Sequence, residues 1–269
     1  MNKIIHLTSP QNEHVKKWKK LKTKKGRSES KTLLIEGEHL IMEAISARLP
    51  FHAVIFDSGK KDAALSVLES YPVQAPVYEL ASPLFTSVTE TDSPQGVAAV
   101  VGIPDWSAEE LLSRGKSGAT YLLLDAVQDP GNLGTIVRTA EAAGVTGIWL
   151  GKGTVDPFNP KVVRSGMGSL FRLPMVQLDL AEAISLLKKD GVTVVGTSPR
   201  GGVYHFEYPF PAKSAILLGN EGRGVDPALM ALVDEMVQIP MPGKTESLNV
   251  SVTCAILIYE RVRQRYPHL

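Results

Sequence analysis

Cysteine is almost absent: Cys254 is the only one in 269 residues. A lone thiol excludes an internal disulfide and a cysteine-rich zinc site. It sits in the apolar run Val252–Tyr259, where a thiol is expected to pack and not to react. The six histidines, His6, His14, His39, His52, His205 and His268, are scattered and show no metal-ligand spacing, so no metal is expected. No apolar run is long enough to span a bilayer. Met1–Leu7 lacks the apolar core of a secretory signal, and the expected location is the cytoplasm. Tandem repeats and low-complexity tracts are missing too, apart from one basic stretch.

Net charge is nearly absent at +1, but it is unevenly spread. Met1–Lys31 holds ten basic residues against two acidic ones, a local balance of +8 that leaves −7 for the remainder. A basic arm on a mildly acidic body suits a polyanion. Lys16, Lys19, Lys20, Lys24 and Lys25 are the candidate phosphate contacts, since such lysines hold a nucleic-acid backbone without reading sequence. A solvated helical face fits the lysines as well. Trp18 and Leu21 predict an amphipathic helix here, not a loose tail.

Apolar periodicity then predicts two α/β units. The first, residues 1–104 with the basic arm, has expected strands at 33–35, 53–56, 76–80 and 96–101. Helices are expected at 38–47, 62–70 and 83–88, the last capped by Ser82. The polar, Ser- and Gly-containing stretch 105–118 reads as a linker, with a possible short helix at Leu111 and Leu112. The second unit, 119–269, has expected strands at 121–124, 147–150, 175–178, 192–196, 215–219 and 236–239. Its expected helices are 132–143, 161–170, 181–189, 227–233 and 248–263. Alternating strands and helices predict an α/β fold with a largely buried sheet.

Three loops after strands of the second unit carry candidate chemistry, because open α/β sheets bind ligands where their strands end. Asp125–Gly144 places Asn132 and Gly134 at a helix start, with Arg138 one to two turns further in. Leu217–Asp226, LLGNEGRGVD, concentrates Gly219, Gly222 and Gly224 around Glu221. Such glycine density lets backbone approach a ligand closely. The loop lacks the Lys-Ser/Thr ending of a P-loop and the spacing of a dinucleotide fingerprint. Ile239–Ser251, IPMPGKTESLNVS, stiffens a loop with prolines before a helix that Ser247 is expected to cap. Taken singly, each fits something ordinary: a surface arginine, a tight turn with Glu221 paired to Arg223, a plain helix cap.

Together, Asn132-x-Gly134-x-x-x-Arg138, Gly219-Asn220-Glu221-Gly222-x-Gly224 and Ile239-Pro240-Met241 with Ser247-Leu248-Asn249-Val250-Ser251 resemble the three motifs of the SpoU family. These are RNA ribose 2′-O-methyltransferases of the SPOUT class. The resemblance spans about Tyr121 to Tyr259. The first unit is similar to the ribosomal-protein-like substrate-binding domain that often precedes them. The resemblance implies an α/β domain with a deep trefoil knot, S-adenosylmethionine as cofactor, and a homodimer with its site across the interface. Cofactor contacts are implied at Gly219, Ile239, Met241, Leu248 and Asn249, and RNA contacts at Asn132 and Arg138. The implied catalytic set is Arg138, Glu221, Ser247 and Asn249, with Glu221 orienting Arg138 or the ribose. A guanidinium stays protonated, so Arg138 is expected to position the hydroxyl and its phosphate; direct deprotonation by a perturbed Arg138 is the alternative. Ribosomal RNA is the favoured substrate, with transfer RNA, or RNA binding by an inactive enzyme, as the alternatives.

Overall fold

The computed structural model describes residues 4–60, 74–91, 93–115 and 118–266. The expected helix 62–70 lies outside them. The chain divides into two compact units, Met1–Asp105 with Asp156–Phe171, and Trp106–Val155 with Arg172–Leu269. Segment 156–171, which the sequence pattern places inside the second unit, therefore groups with the first.

In the first unit β1 (Ile4–Leu7) leads into helices α1 (Glu13–Lys20) and α2 (Lys24–Ser30). Then come β2 (Thr32–Glu36), α3 (Glu38–Ser46), β3 (Phe51–Asp57), β4 (Val77–Leu80), α4 (Ser82–Val88) and β5 (Val97–Gly102). The sheet order is β1-β4-β3-β5-β2. β1, β4 and β3 run parallel, while β5 is antiparallel to β3 and β2. The basic arm is thus folded. Val15, Trp18 and Leu21 are buried against Ile55, Leu80 and Phe85, and the lysines occupy the other face. Ser82 does not cap α4. Its hydroxyl donates 2.6 Å to the buried Asp57 carboxylate, and Ala81 holds the cap position.

The second unit opens with α5 (Ala108–Ser113), so the expected linker 105–118 is largely structural. Ser107 and Glu110 form a reciprocal capping box, and Leu111 is fully buried with Tyr121, Trp149 and Leu187. β6 (Ala119–Leu124), α6 (Pro130–Ala142) and β7 (Gly147–Leu150) follow. The chain then enters the first unit through α7 (Pro160–Gly166), ended by Met167 and Gly168 at positive φ, and a 3-10 turn at Ser169–Phe171. There the Asp156 carboxylate accepts a hydrogen bond from the buried Arg27 guanidinium. Back in the second unit are β8 (Met175–Gln177), α8 (Leu180–Lys189), β9 (Thr193–Thr197), β10 (Val203–Tyr204) and β11 (Lys213–Leu218). The chain closes with α9 (Pro227–Met230), β12 (Glu235–Gln238) and α10 (Val250–Arg265).

The sheet is parallel throughout, in the order β10-β12-β9-β11-β6-β7-β8. Its central strands are buried on both faces, which is why Ala119–Leu124 and Ser214–Leu218 read as almost unbroken apolar runs. β11 fills a one-strand gap between β6 and β9, two strands laid down earlier in the chain. α10 packs on α6. Arg261, buried in α10, donates to the carbonyls of Ala119 and Ala212 and fixes the helix to the start of β6. Cys254 is fully buried, and desolvation pushes its thiol up to about 12, in keeping with a packing role. Among the described residues no helix is long and apolar enough to cross a membrane.

Candidate functional site

Because β6, β9, β11 and β12 are parallel, their carboxyl ends release four loops on one edge of the sheet. Between the loops after β9, β11 and β12 lies a cleft of about 330 Å³. Leu218, Val237, Val250 and Leu257 form its buried apolar wall, and Ile239, Met241 and Leu248 continue that wall outward. Thr197, Ser198 and Asn220 add polar groups. An apolar slot with a few convergent polar groups is the usual form of a small-molecule site.

Gly219 sets the wall on the β11 side. A Cβ there would lie 2.2 Å from the Gly224 carbonyl carbon and 2.2 Å from the Val225 nitrogen. Both are backbone atoms that cannot swing aside. Asn220 and Gly224 exchange two backbone hydrogen bonds of 2.9 Å, closing a tight turn. The Asn220 side-chain oxygen accepts the N–H groups of Gly222 and Arg223 inside the turn. Its amide donates 2.8 Å to the carbonyl of Ala126, a residue at φ +52 in the loop after β6.

Glu221 joins that turn to the Arg138-bearing helix. Its carboxylate accepts the backbone N–H groups of Gln128 (3.2 Å) and Asp129 (3.0 Å) and the side-chain amide of Asn132 (3.1 Å). Partial burial pushes the acid's pKa up, but the donors from Asp129, Asn132 and Gln128 outweigh it and hold the acid below its ordinary 4.5. The side-chain oxygen of Asn132 in turn accepts 2.9 Å from the Asn249 amide. Asn249 caps α10: its oxygen accepts the Ser251 N–H at 2.8 Å and the Ser251 hydroxyl at 2.6 Å. One hydrogen-bonded chain, Glu221–Asn132–Asn249, therefore ties all three sequence motifs together.

Several expectations are redrawn. Asn249, not Ser247, is the cap of the last helix, and Ser247 lies exposed at the cleft. α6 starts at Pro130, two residues before the expected start at Asn132, and Asp129 caps it. Glu221 pairs with neither Arg223 nor Arg138; its oxygens are taken up by loop donors. Gly219, Ile239, Met241 and Leu248 line the cleft, whereas Asn249 does not and reaches Asn132 instead. Arg138 is exposed on α6 and does not line the cleft of its own chain. In the first unit Lys16, Lys20, Lys24 and Lys25 are exposed and Lys19 half-buried, while Lys22 is spent on the Thr89 carbonyl. Sequence reasoning missed the Thr197–Pro199 loop and Asn220 as cleft residues. The first is followed by the pair Gly201-Gly202, but its place at the cleft follows only from β9 lying beside β11. Among the described residues no group of three His, Cys, Asp or Glu could hold a metal ion.

The pattern of the SpoU rRNA Methylase family matches residues 119–259, and that of the MRM3-like substrate binding domain matches residues 12–99. The 23S rRNA (guanosine(2553)-2′-O)-methyltransferase RlmP of Bacillus subtilis (strain 168) is 43% identical over 253 residues, covering 94% of this chain and 97% of the relative. An AdoMet-bound rRNA methyltransferase from Sinorhizobium meliloti superposes with a TM-score of 0.84 at 30% identity, over 97% of this chain and 98% of its own. The SpoU methyltransferase AviRb from Streptomyces viridochromogenes, in complex with AdoMet, gives 0.85 at 29% identity, over 95% and 98%.

Proposed function

The chain belongs to the SpoU rRNA methylase family, and from that premise we propose that it methylates a ribose 2′-hydroxyl of ribosomal RNA with S-adenosylmethionine as donor. The observation that carries this reading is the cleft at the sheet's carboxyl edge, walled by two of the family motifs and tied to the third through Glu221, Asn132 and Asn249. The residues fit the cofactor. Gly219 leaves no room for a side chain against the turn, so the two backbone segments that wall the cleft can lie this close only with glycine there. Ile239, Met241 and Leu248 offer an apolar surface for a purine, and Ser247 offers an exposed hydroxyl.

When bound, S-adenosylmethionine supplies an electrophilic methyl on a sulfonium sulfur. The protein must then hold a ribose hydroxyl in line with it and help remove a proton. Arg138 is the residue proposed for that task. A guanidinium stays protonated, so it binds the phosphate next to the ribose and polarises the hydroxyl; as the oxygen–methyl bond forms and the sulfur–methyl bond breaks, the hydroxyl proton passes to that phosphate or to water and the neutral thioether leaves. Glu221 and Asn249 act as positioning residues: one anchors the glycine turn to the loop before α6, the other presents the cap of α10 to Asn132. Ser247, exposed at the cleft, is placed to meet either ligand.

The active unit is proposed to be a homodimer in the cytoplasm, with Arg138 completing the partner's cleft. Two features support it. Arg138 does not line the cleft of its own chain. α10 leaves Val252 and Tyr259 exposed, 46% and 48%, an apolar surface suited to a second copy. The trefoil knot is proposed for the C-terminal part, where β11 is threaded between β6 and β9. Lys16, Lys19, Lys20, Lys24 and Lys25 are proposed to hold RNA phosphates. The test is paired calorimetry and methyl transfer: wild-type protein binds S-adenosylmethionine and labels ribosomal RNA, and failure of either overturns the reading.

A further inference from the structure

Beside the cofactor cleft, a second depression of about 620 Å³ opens on the same edge of the sheet. The two share Pro199, Ile239 and Met241. Its other walls include Tyr204, Arg200 and Lys244, with Glu246 as the one acid. Tyr204 lies in β10, the edge strand of the sheet. Tyr204 is 40% exposed and its ring stacks on that of Phe206, itself 48% exposed, at 5.5 Å between centroids and 13° between planes.

This aromatic pair is held firmly. β10 pairs with β12 through Val203 and Tyr204. The His205 N–H donates 3.0 Å to the Gln238 carbonyl, and the Gly201 N–H donates 3.1 Å to the Gln238 side chain. The Ser198 hydroxyl closes the turn on the Arg200 carbonyl at 2.7 Å. Gly202, at φ +104, passes so close to Met236 that a Cβ would lie 2.5 Å from its carbonyl oxygen. Two stacked aromatic rings are therefore kept part-exposed on a pinned backbone, and Tyr204 shares its depression with two cations. Tyr208 and Phe210, a few residues on, are buried in the ordinary way.

We propose that Tyr204 is a stacking platform for a nucleobase adjacent to the methylated nucleotide, with Arg200 and Lys244 holding the flanking phosphates. The proposal rests on the RNA methyltransferase reading above and names the part of the site that would hold the strand. Proteins read single-stranded or splayed RNA by stacking bases on aromatic side chains while cations follow the backbone. The depression supplies both elements, and it adjoins the cleft where the methyl group would be presented. A second copy of this chain fits less well, because it would desolvate Arg200 and Lys244 with only Glu246 to answer them.

The experiment uses the full-length protein, methyl-labelled S-adenosylmethionine and a ribosomal RNA fragment that the wild type methylates. Tyr204→Ala should raise KM for RNA by about tenfold or more, the loss expected for one stacked base. Its kcat and its Kd for S-adenosylmethionine should stay within about twofold, and Tyr204→Trp should recover most of the loss. Arg200→Ala with Lys244→Ala should flatten the slope of log Kd for RNA against log salt by about 1.4, the value for two phosphate contacts to a single strand. An unchanged KM in Tyr204→Ala overturns the proposal. So does a change of mass in light scattering, which would make the surface a contact between copies. A wild-type protein that methylates no RNA overturns the parent reading as well, and is told apart by the wild-type control alone.

Discussion

Replacing Gly219 by alanine is the sharpest perturbation of the cleft. The added methyl would meet the Gly224 carbonyl carbon and the Val225 nitrogen at 2.2 Å, and the Gly224 oxygen at 2.5 Å. A contact that short must be opened by more than an ångström, and only backbone can move. Overpacking of this kind costs about 1–3 kcal/mol, and the shift falls on the turn that walls the cleft. The expected loss in S-adenosylmethionine affinity is therefore about 5- to 150-fold, with melting lowered by about 3–10 °C. Two neighbours in the same turn serve as graded controls. Gly224 has open space but φ +72, so alanine there suffers only backbone strain, about 1–2 kcal/mol. Gly222 has a single neighbour at 3.7 Å and no positive φ, so alanine should change stability by less than about 0.5 kcal/mol. Calorimetric titration of the three variants should rank the losses Gly219→Ala, Gly224→Ala, Gly222→Ala. Wild-type affinity in Gly219→Ala would refute the close approach and its link to the cleft.

Arg138→Ala should bind S-adenosylmethionine normally yet lose methyl transfer by about 100-fold or more, as when a group that assists proton transfer is removed. Mixing it with Gly219→Ala should restore part of the activity if each site draws Arg138 from the partner copy; no recovery would contradict the shared site. Glu221→Gln puts an amide where three donors converge, and should cost about 1 kcal/mol at neutral pH after allowance for solvent exposure. The folded-state pKa of Glu221 is depressed, so its contribution is complete above the ordinary value of 4.5 and is lost as pH falls through the lower folded value. The stability gap between wild type and Glu221→Gln in urea should accordingly shrink on acidification; a gap that widened would contradict this. Asp156→Ala strands the buried Arg27 without its carboxylate, their side chains being only 14% and 4% exposed, and should destabilise the first unit by about 3–5 kcal/mol. Hydrogen exchange should then report faster opening across 156–171 than in wild type.

Much of the second unit was legible because central parallel strands are buried on both faces, so Ala119–Leu124 and Ser214–Leu218 announce themselves as apolar runs. Gly144 and Gly191 mark helix ends because both sit at positive φ. β1 was not legible: four residues, half of them exposed, carry no usable period. Residues 105–118 look like a linker by composition, yet Leu111 commits the segment to the core, with Trp106, Ala108 and Leu112 packed against the same cluster. Ser247 and Asn249 are equally good caps on paper. The choice falls to Asn249 because its amide also has a partner, Asn132, 117 residues away. Glu221 shows the same limit. Its charge was visible, but its donors come from a loop some 90 residues earlier, brought beside it only because β11 inserts next to β6. The ingredients of the site are local in sequence, and its wiring is not.

Methyl transfer to a ribose hydroxyl of ribosomal RNA leaves a product, the 2′-O-methyl ribose, whose chemical identity can be read directly. Ribosomal RNA lacking the modification is incubated with the protein and methyl-labelled S-adenosylmethionine, then hydrolysed in alkali, which cannot cleave beside a 2′-O-methyl ribose. Wild-type protein should leave label in an alkali-resistant dinucleotide from ribosomal RNA, and Arg138→Ala should leave none. Label on a base, or label in transfer RNA alone, would contradict ribose methylation of ribosomal RNA.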